Sequence, residues 1–381
     1  MIKKLTLLGP AYPYRGGIAT IMETLARVFQ SRGARVDVKT FTVQYPSLLF
    51  PGKSQYRDGE PPEGINIIRC VNTASPLNWL KVGRLIAREA PDVVLMKYWT
   101  PFMAPCFGTI ARVARRNGHT KVLVQLDNVV PHERRWYDRL LTRYFVGSMD
   151  GFIYMSEQVA GELTEFDTTK PRLYSPHPMF DHFGERLSKT EACKRLGLNP
   201  SVDYVMFFGL VRDYKGLDLL LGAWKILKER GEAHGRRLVV AGEFYADVAP
   251  YRQLIGELGL VEDVILHDWF IPDSDVKLYF SLADLLVLPY RSATQSGVTQ
   301  IAYHFEVPMV VTDVGGLPEI VPDGTVGYVA DITADSIAEA IERFYTGSNA
   351  ERLREGFATE KQRFSWAATA DRIEQLFQKT K

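Results

Sequence analysis

The sequence predicts an α/β protein made of two Rossmann-like, doubly wound domains. Three observations carry that prediction. Strand-like and helix-like segments alternate along nearly the whole chain, the strand segments are apolar on both faces, and 381 residues exceed what one ordinary core serves. Hydrophobic residues at 46% and charged residues at 24% are the balance of a soluble globular chain, not of a disordered or fibrous one.

The first half opens with "KKLTLL", a strand ending at Gly9 and Pro10. Its apolar run is too short for a signal peptide, and no run approaches bilayer-spanning length. "IATIMETLARVFQSRG" then places apolar residues at helical spacing. The strands "ARVDVKTF", "INIIRC", "DVVLMK", "KVLVQL" and "GFIYM" follow, with "LNWLKVGRLIAREA" among the intervening helices. Residues 42–64 form one long connection rich in Pro and Gly, and its Tyr45, Phe50 and Tyr56 argue for a functional loop over disorder. The second half repeats the scheme with "YVMFFG", "RRLVVAG", "DVILHD", "DLLVLP" and "PMVVTD". The pattern is weakest over residues 178–200, where the linker is expected. Domains at 1–185 and 186–360 follow, with a terminal element at 361–381.

Three cysteines, Cys70, Cys106 and Cys193, lack paired spacing, which argues against a disulfide framework or zinc cluster and points to a reducing, cytoplasmic setting. The net charge of +1 hides an asymmetry: residues 1–185 carry 24 Lys and Arg against 17 Asp and Glu, the remainder 22 against 28. Different partners for the two halves are expected, and nucleic acid is not among them.

Open parallel sheets bind ligands at the carboxyl ends of their strands. "FFGLVRDYKGLDLLLGAW" (207–224) sits at such an end, and its loop brings Arg212 and Lys215 to a helix start, where backbone N–H groups also favour an anion. A phosphate is the expected ligand. "LPYRSATQSGVTQIAYHFEVP" has the same grammar, with a small polar loop from Ala293 to Gly297 before a helix, and "VTDVGGLPE" repeats it. No Walker A sequence occurs and no G-x-G-x-x-G follows a strand, so ATP hydrolysis and NAD binding lose support. In "LLGPAYPYRGGIATIMETLA", Gly16 and Gly17 lead from the first strand into the first helix. "PDSDVK" holds a formal Asp-x-Asp at Asp273 and Asp275, read here as a helix cap and not a metal site.

The order of "GG" near the start, G-x5-K-G after mid-chain, "AGE" at 241–243, "ADLLVLP" and "VTDVGGLPE" resembles the family 4 (group 1) retaining glycosyltransferases of GT-B fold, over essentially the whole chain. That resemblance implies two domains facing a cleft, with "FSWAATADRIEQLF" forming a terminal helix that crosses back to the N-terminal domain. It implies a UDP- or GDP-linked hexose donor held mainly by the C-terminal domain, an acceptor held by the N-terminal one, and no cofactor or metal. The donor-binding residues would be Gly16, Gly17, Gly209, Arg212, Lys215, Glu243, Phe270, Ile271, Thr294, Gln295, Ser296, Gly297 and Val298.

Two departures from the family stand out. Leu210 follows Gly209 where the family has arginine, although Lys215 keeps its spacing. The family's Glu-x7-Glu pair falls on Ala293 and Ile301, with Glu306 out of register, which leaves a catalytically silent, sugar-nucleotide-binding partner subunit as the alternative. A sugar-nucleotide epimerase shares the fold but does not account for the long aromatic loop. On the acceptor side, "QLDNVVPHERRWYDRL" offers Asp127 to orient or deprotonate a hydroxyl, with His132 as the alternative. His177 reads as structural. Arg135, Arg139 and Arg143 recur every four residues beside Trp136, Leu140 and Tyr144, a stripe that can rest on anionic membrane.

Overall fold

The computed structural model describes residues 1–45, 55–56, 59–129, 137–293 and 296–381. The chain divides into two compact units, one of Met1–Pro178 with Ser365–Lys381 and the other of Met179–Phe364.

The first unit holds β1 (Lys4–Leu8), β2 (Arg35–Val43), β3 (Asn66–Asn72), β4 (Val93–Tyr98), β5 (Lys121–Leu126), β6 (Gly151–Tyr154) and β7 (Arg172–Tyr174). They form one sheet in the order β3-β2-β1-β4-β5-β6-β7, parallel throughout, with Leu8 opposite Lys39 on one side and Met96 on the other. The second unit holds β8 (Asp203–Phe208), β9 (Arg236–Ala241), β10 (Val264–His267), β11 (Leu285–Leu288), β12 (Met309–Thr312) and β13 (Gly327–Ala330). These run parallel in the order β10-β9-β8-β11-β12-β13. Both sheets therefore reverse direction beside their first strand, and a crevice opens at the carboxyl ends of strands that diverge there.

Burial explains the unbroken apolar runs. Every residue of β4 and β11 is buried, because helices cover both faces of each sheet. Below the second sheet, Trp224 is fully enclosed with Leu220, Ala223 and Leu227 from the helix Leu217–Glu229.

Two short edge strands, β7 and β13, are not legible in the sequence. The stretch 178–200 is also no bare linker: the helix Lys189–Leu196, capped by Ser188, lies within it and belongs to the second unit. Only Ala192 and Cys193 of that helix are buried, which leaves its pattern faint. Leu187 N–H donates to Ser281 Oγ (2.9 Å) and Lys189 pairs with Asp284 (2.6 Å), fixing the segment to this unit. The chain thus changes units at 178, short of the expected 185, and returns after 364 instead of 360.

The terminal helix Trp366–Lys379 packs in the first unit. Arg32 pairs with Asp371 (2.7 Å) and donates to the Ala367 carbonyl (2.9 Å). Gly151 on β6 leaves room for Leu376, which a β-carbon there would meet at 3.0 Å.

Candidate active site

In the second unit the reversal lies between β8 and β11, and the loops leaving both strands are stitched together. After β8, Gly209 N–H donates to the Ala241 carbonyl (2.9 Å), Val211 N–H to that of Glu243 (2.8 Å), and Tyr245 N–H returns to Val211 (3.0 Å). The loop after β9 approaches so closely that a β-carbon at Gly242, where φ is +147°, would stand 2.2 Å from the Gly209 carbonyl oxygen. Gly216 does the same work toward β11: at φ +65°, its β-carbon would lie 2.0 Å from the Pro289 carbonyl oxygen. Between these contacts, Asp213–Lys215 makes one turn of 3-10 helix before the helix Leu217–Glu229.

Three cations approach this loop, and they are treated differently. Arg291 forms a two-pronged pair with Asp218 (2.8 and 2.6 Å) and is neutralised. Arg212 and Lys215 have no carboxylate partner among the described residues. The Arg212 guanidinium lies 4.2 Å over the Tyr245 ring, and Lys215 Nζ lies 5.4 Å over that of buried Tyr290. Burial, and then the neighbouring Arg212, push the Lys215 ammonium down from its ordinary value to about 8. A lysine partly withdrawn from water beside a second cation is arranged for an anion.

The start of the helix Gly297–Phe305 meets the same point. A β-carbon placed on Gly209 would lie 3.4 Å from both Lys215 Nζ and Val298 Cγ2. Ser296 occupies the N-cap position of this helix but does not cap it; its hydroxyl lies 3.3 Å from that of Tyr290. Gly297 is exposed beside it. Gly209, Lys215 and Val298 thus converge, with Arg212, Ser296 and Gly297 on the same loops. Glu243 is exposed in the loop after β9. Phe270 is exposed and Ile271 buried in the loop after β10, beyond Trp269, which stacks on His267 at 4.6 Å. Thr294 and Gln295 lie outside the described residues. Tyr245 and Tyr290, which carry the two cations, are absent from the sequence expectation; each follows a strand end, in "AGEFY" and "LPY", and that position was the available signal.

In the first unit, Gly16 stands at the N-cap of the helix Gly17–Ser31, which follows the loop leaving β1. Asp127, just past β5, donates its N–H to the Tyr98 carbonyl (2.9 Å), and its carboxylate pairs with Lys97 of β4 at 2.6 Å. The Lys97 side chain is 1% exposed. Burial raises the Asp127 carboxyl above its ordinary range, and Lys97 opposes that shift only in part. His177 belongs to this cluster: burial first, and then the charge of Lys97, push its imidazole down to about 4, so it is neutral at physiological pH, with Nδ1 bonded to the Pro178 carbonyl (2.8 Å). Lys97 went unread in the sequence because a lysine inside an apolar strand carries no motif. His132, Arg135 and Trp136 lie outside the described residues.

One expectation changes. Asp273 and Asp275 do not cap a helix; Pro272 holds the N-cap position and both acids sit in the first turn, where they complement the positive end of the dipole. The described arginines of the stripe, Arg139 and Arg143, are exposed, as expected of a surface stripe. Arg139 pairs with Glu165 (3.3 Å), and Tyr144 bonds Thr109 (2.9 Å) beneath the Arg112 guanidinium (4.4 Å), so Leu140 alone of the described flanking residues is exposed. No helix among the described residues is long and apolar enough to cross a membrane.

A family model described as "Glycosyl transferases group 1" matches residues 202–347, and one described as "Glycosyl transferase 4-like domain" matches residues 16–174. The chain belongs to the group 1 glycosyltransferases. The D-inositol 3-phosphate glycosyltransferase of Corynebacterium aurimucosum is 28% identical over 263 residues, covering 66% of this chain and 61% of that protein. The protein of the same description from Segniliparus rotundus is 30% identical over 240 residues, covering 59% and 51%. This group 1 glycosyltransferase thus spans between half and about three fifths of the length of those relatives. Among solved structures, sucrose-phosphate synthase from Thermosynechococcus elongatus aligns with a TM-score of 0.74 at 17% identity, covering 99% of this chain and 98% of that one. Anabaena HepE in complex with UDP and glucose gives 0.71 at 15% identity, covering 98% of each chain. At such identities the likeness is one of fold, the two Rossmann-like domains of GT-B glycosyltransferases.

Proposed function

We propose that this group 1 glycosyltransferase moves a hexose-type sugar, with retention of configuration and without a metal, from a UDP- or GDP-linked donor to a polysaccharide-precursor or lipid-linked acceptor. The observation that carries the reading is Lys215, desolvated beside Arg212 with no carboxylate partner among the described residues. A diphosphate supplies the missing charge. As the nucleotide departs, charge gathers on that diphosphate, and fixed cations stabilise it most in the transition state.

In this reading Gly209, Ser296, Gly297 and Val298 admit the donor closely, while Glu243, Phe270 and Ile271 bound it. Thr294 and Gln295 would bond the sugar or ribose in place of the family's carboxylates, whose positions Ala293 and Ile301 occupy. Asp127, held by Lys97, orients or deprotonates the acceptor hydroxyl, with His132 as the alternative base. Anabaena HepE, of the same fold, binds UDP and glucose, which favours a uridine donor as the first probe.

The protein would work in the cytoplasm, with peripheral contact to anionic membrane through the arginine stripe, and the same unit carries a second basic face. The helix Pro76–Glu89 exposes Lys81, Arg84 and Arg88 beside Leu77 and Leu85, and with Arg69 these cations line a groove of about 420 Å³ with no acid among its described lining residues. Such a face suits anionic headgroups.

Ala293 and Ile301 at the family's glutamate positions favour a second reading, a catalytically silent partner subunit that keeps nucleotide binding. Calorimetric titration with UDP and GDP in EDTA, followed by assay of UDP-glucose and GDP-mannose hydrolysis, separates the two. Binding with turnover supports the transferase, and binding without turnover supports the silent partner. Failure of both nucleotides to bind sinks the phosphate assignment.

A further inference from the structure

Arg291 lies in the loop after β11, yet every hydrogen bond it donates to a described residue goes to residues 213–218, in and just after the loop that leaves β8. Its N–H donates to the Tyr214 carbonyl (2.7 Å). Its guanidinium donates to the Asp213 carbonyl (3.0 Å) and to both oxygens of Asp218 (2.8 and 2.6 Å). A planar fork with two prongs on one carboxylate has its orientation fixed as well as its charge. These bonds fall on both sides of Lys215.

Asp218 is a firm anchor for that fork. It sits in the first turn of the helix Leu217–Glu229, where its charge complements the positive end of the dipole. The bond to Arg291, with help from the Asp218 and Leu219 N–H groups, holds its carboxyl below the ordinary range. Folding has little need of the pair. The two side chains are 39% and 40% exposed, and ion pairs so open to water add little to stability. The turn between them is different. Asp213–Lys215 is a single turn of 3-10 helix, held by the bonds of Lys215 N–H to the Arg212 carbonyl (2.9 Å) and Gly216 N–H to that of Asp213 (3.1 Å). So short a 3-10 turn has poor hydrogen-bond geometry and little rigidity of its own.

We infer that Arg291 and Asp218 form a clasp that positions the Asp213–Lys215 turn, and through it the cations Arg212 and Lys215, for an anion. Arg291 is a positioning residue and not a third ligand of that anion. The inference rests on the diphosphate reading for its purpose, while the clasp itself belongs to the chain without nucleotide.

Calorimetry with UDP and GDP on the full chain, its Asp218→Asn and Arg291→Gln variants and the double variant separates the two roles. The clasp predicts that each single substitution weakens binding of the nucleotide the parent takes by about three- to tenfold. The double variant should bind no more weakly than the weaker single one, because both remove the same contact. An Arg291 that served as a diphosphate ligand would give the opposite sign for Asp218→Asn, which frees the guanidinium and tightens binding. Without nucleotide, the Lys215 and Gly216 amides should exchange hydrogen about tenfold faster in both variants, with urea midpoints close to the parent's. Tighter binding by Asp218→Asn, additive losses, affinity unchanged in both folded variants, or exchange unchanged in both overturns the clasp. Faster exchange in both variants of a parent that binds neither UDP nor GDP keeps the clasp and refutes the donor reading instead.

Discussion

Replacing Lys215 with methionine should make the protein more stable and less able to bind nucleotide. The side chains have similar length, and methionine removes only the charge that burial and Arg212 disfavour. The ammonium falls from the ordinary 10.5 to about 8 in the folded chain. Because the folded value is the lower one, the charged form costs stability in full below pH 8, and the cost fades as pH rises to 10.5. A shift of that size corresponds to roughly 3 kcal/mol at pH 7. Urea denaturation should therefore show the Lys215→Met protein more stable at pH 7, with the gap to the parent closing by about pH 10.5. Calorimetry at pH 7 should show UDP or GDP affinity reduced roughly ten- to hundredfold, the loss of one charge-assisted bond. In the parent, nucleotide binding near pH 8 should take up protons, seen as a dependence of binding enthalpy on the buffer. A variant no more stable at pH 7, or a gap that does not narrow with pH, would refute the claim that this lysine is held desolvated. Unchanged nucleotide affinity would move the diphosphate elsewhere.

Gly297→Glu should remain folded, since its new β-carbon meets only the edge of Phe180 at 3.2 Å, yet the added negative charge should abolish nucleotide binding in calorimetry. Lys97→Met leaves the half-buried Asp127 carboxylate without its cation and should cost about 1–3 kcal/mol in urea denaturation; the double variant with Asp127→Leu should recover much of that loss. Asp127→Asn should lower transfer about a hundredfold or more without changing UDP affinity. In the parent, transfer should fail on acidification at a pH above the ordinary carboxylate range, because burial has raised that group. Co-sedimentation with anionic vesicles at low salt should be lost when Arg139 and Arg143 of the stripe are changed to Glu together with Lys81, Arg84 and Arg88, and binding that survives the change would move the membrane surface elsewhere.

The sequence by itself determined whatever is encoded within about one strand and the loop that follows it. An apolar run, a short loop with Arg212 and Lys215, a glycine and a helix start are neighbours in the chain, so the loop proposed to hold phosphate and the fold class were legible together. Periodicity revealed most strands because their burial on both faces excludes polar residues. The edge strands β7 and β13 escaped because they hold three and four residues, and pairing with one neighbour makes them strands. The terminal helix shows its amphipathic face in sequence, but where the chain leaves and rejoins the first unit was decided by packing against Arg32 and Gly151. Tertiary structure alone joined Lys97, Asp127 and His177, which come from separate segments far apart in the chain. It alone brought Tyr290 beneath Lys215. A charge becomes chemically special when water is taken from it, and the residues that exclude the water are seldom its neighbours in sequence.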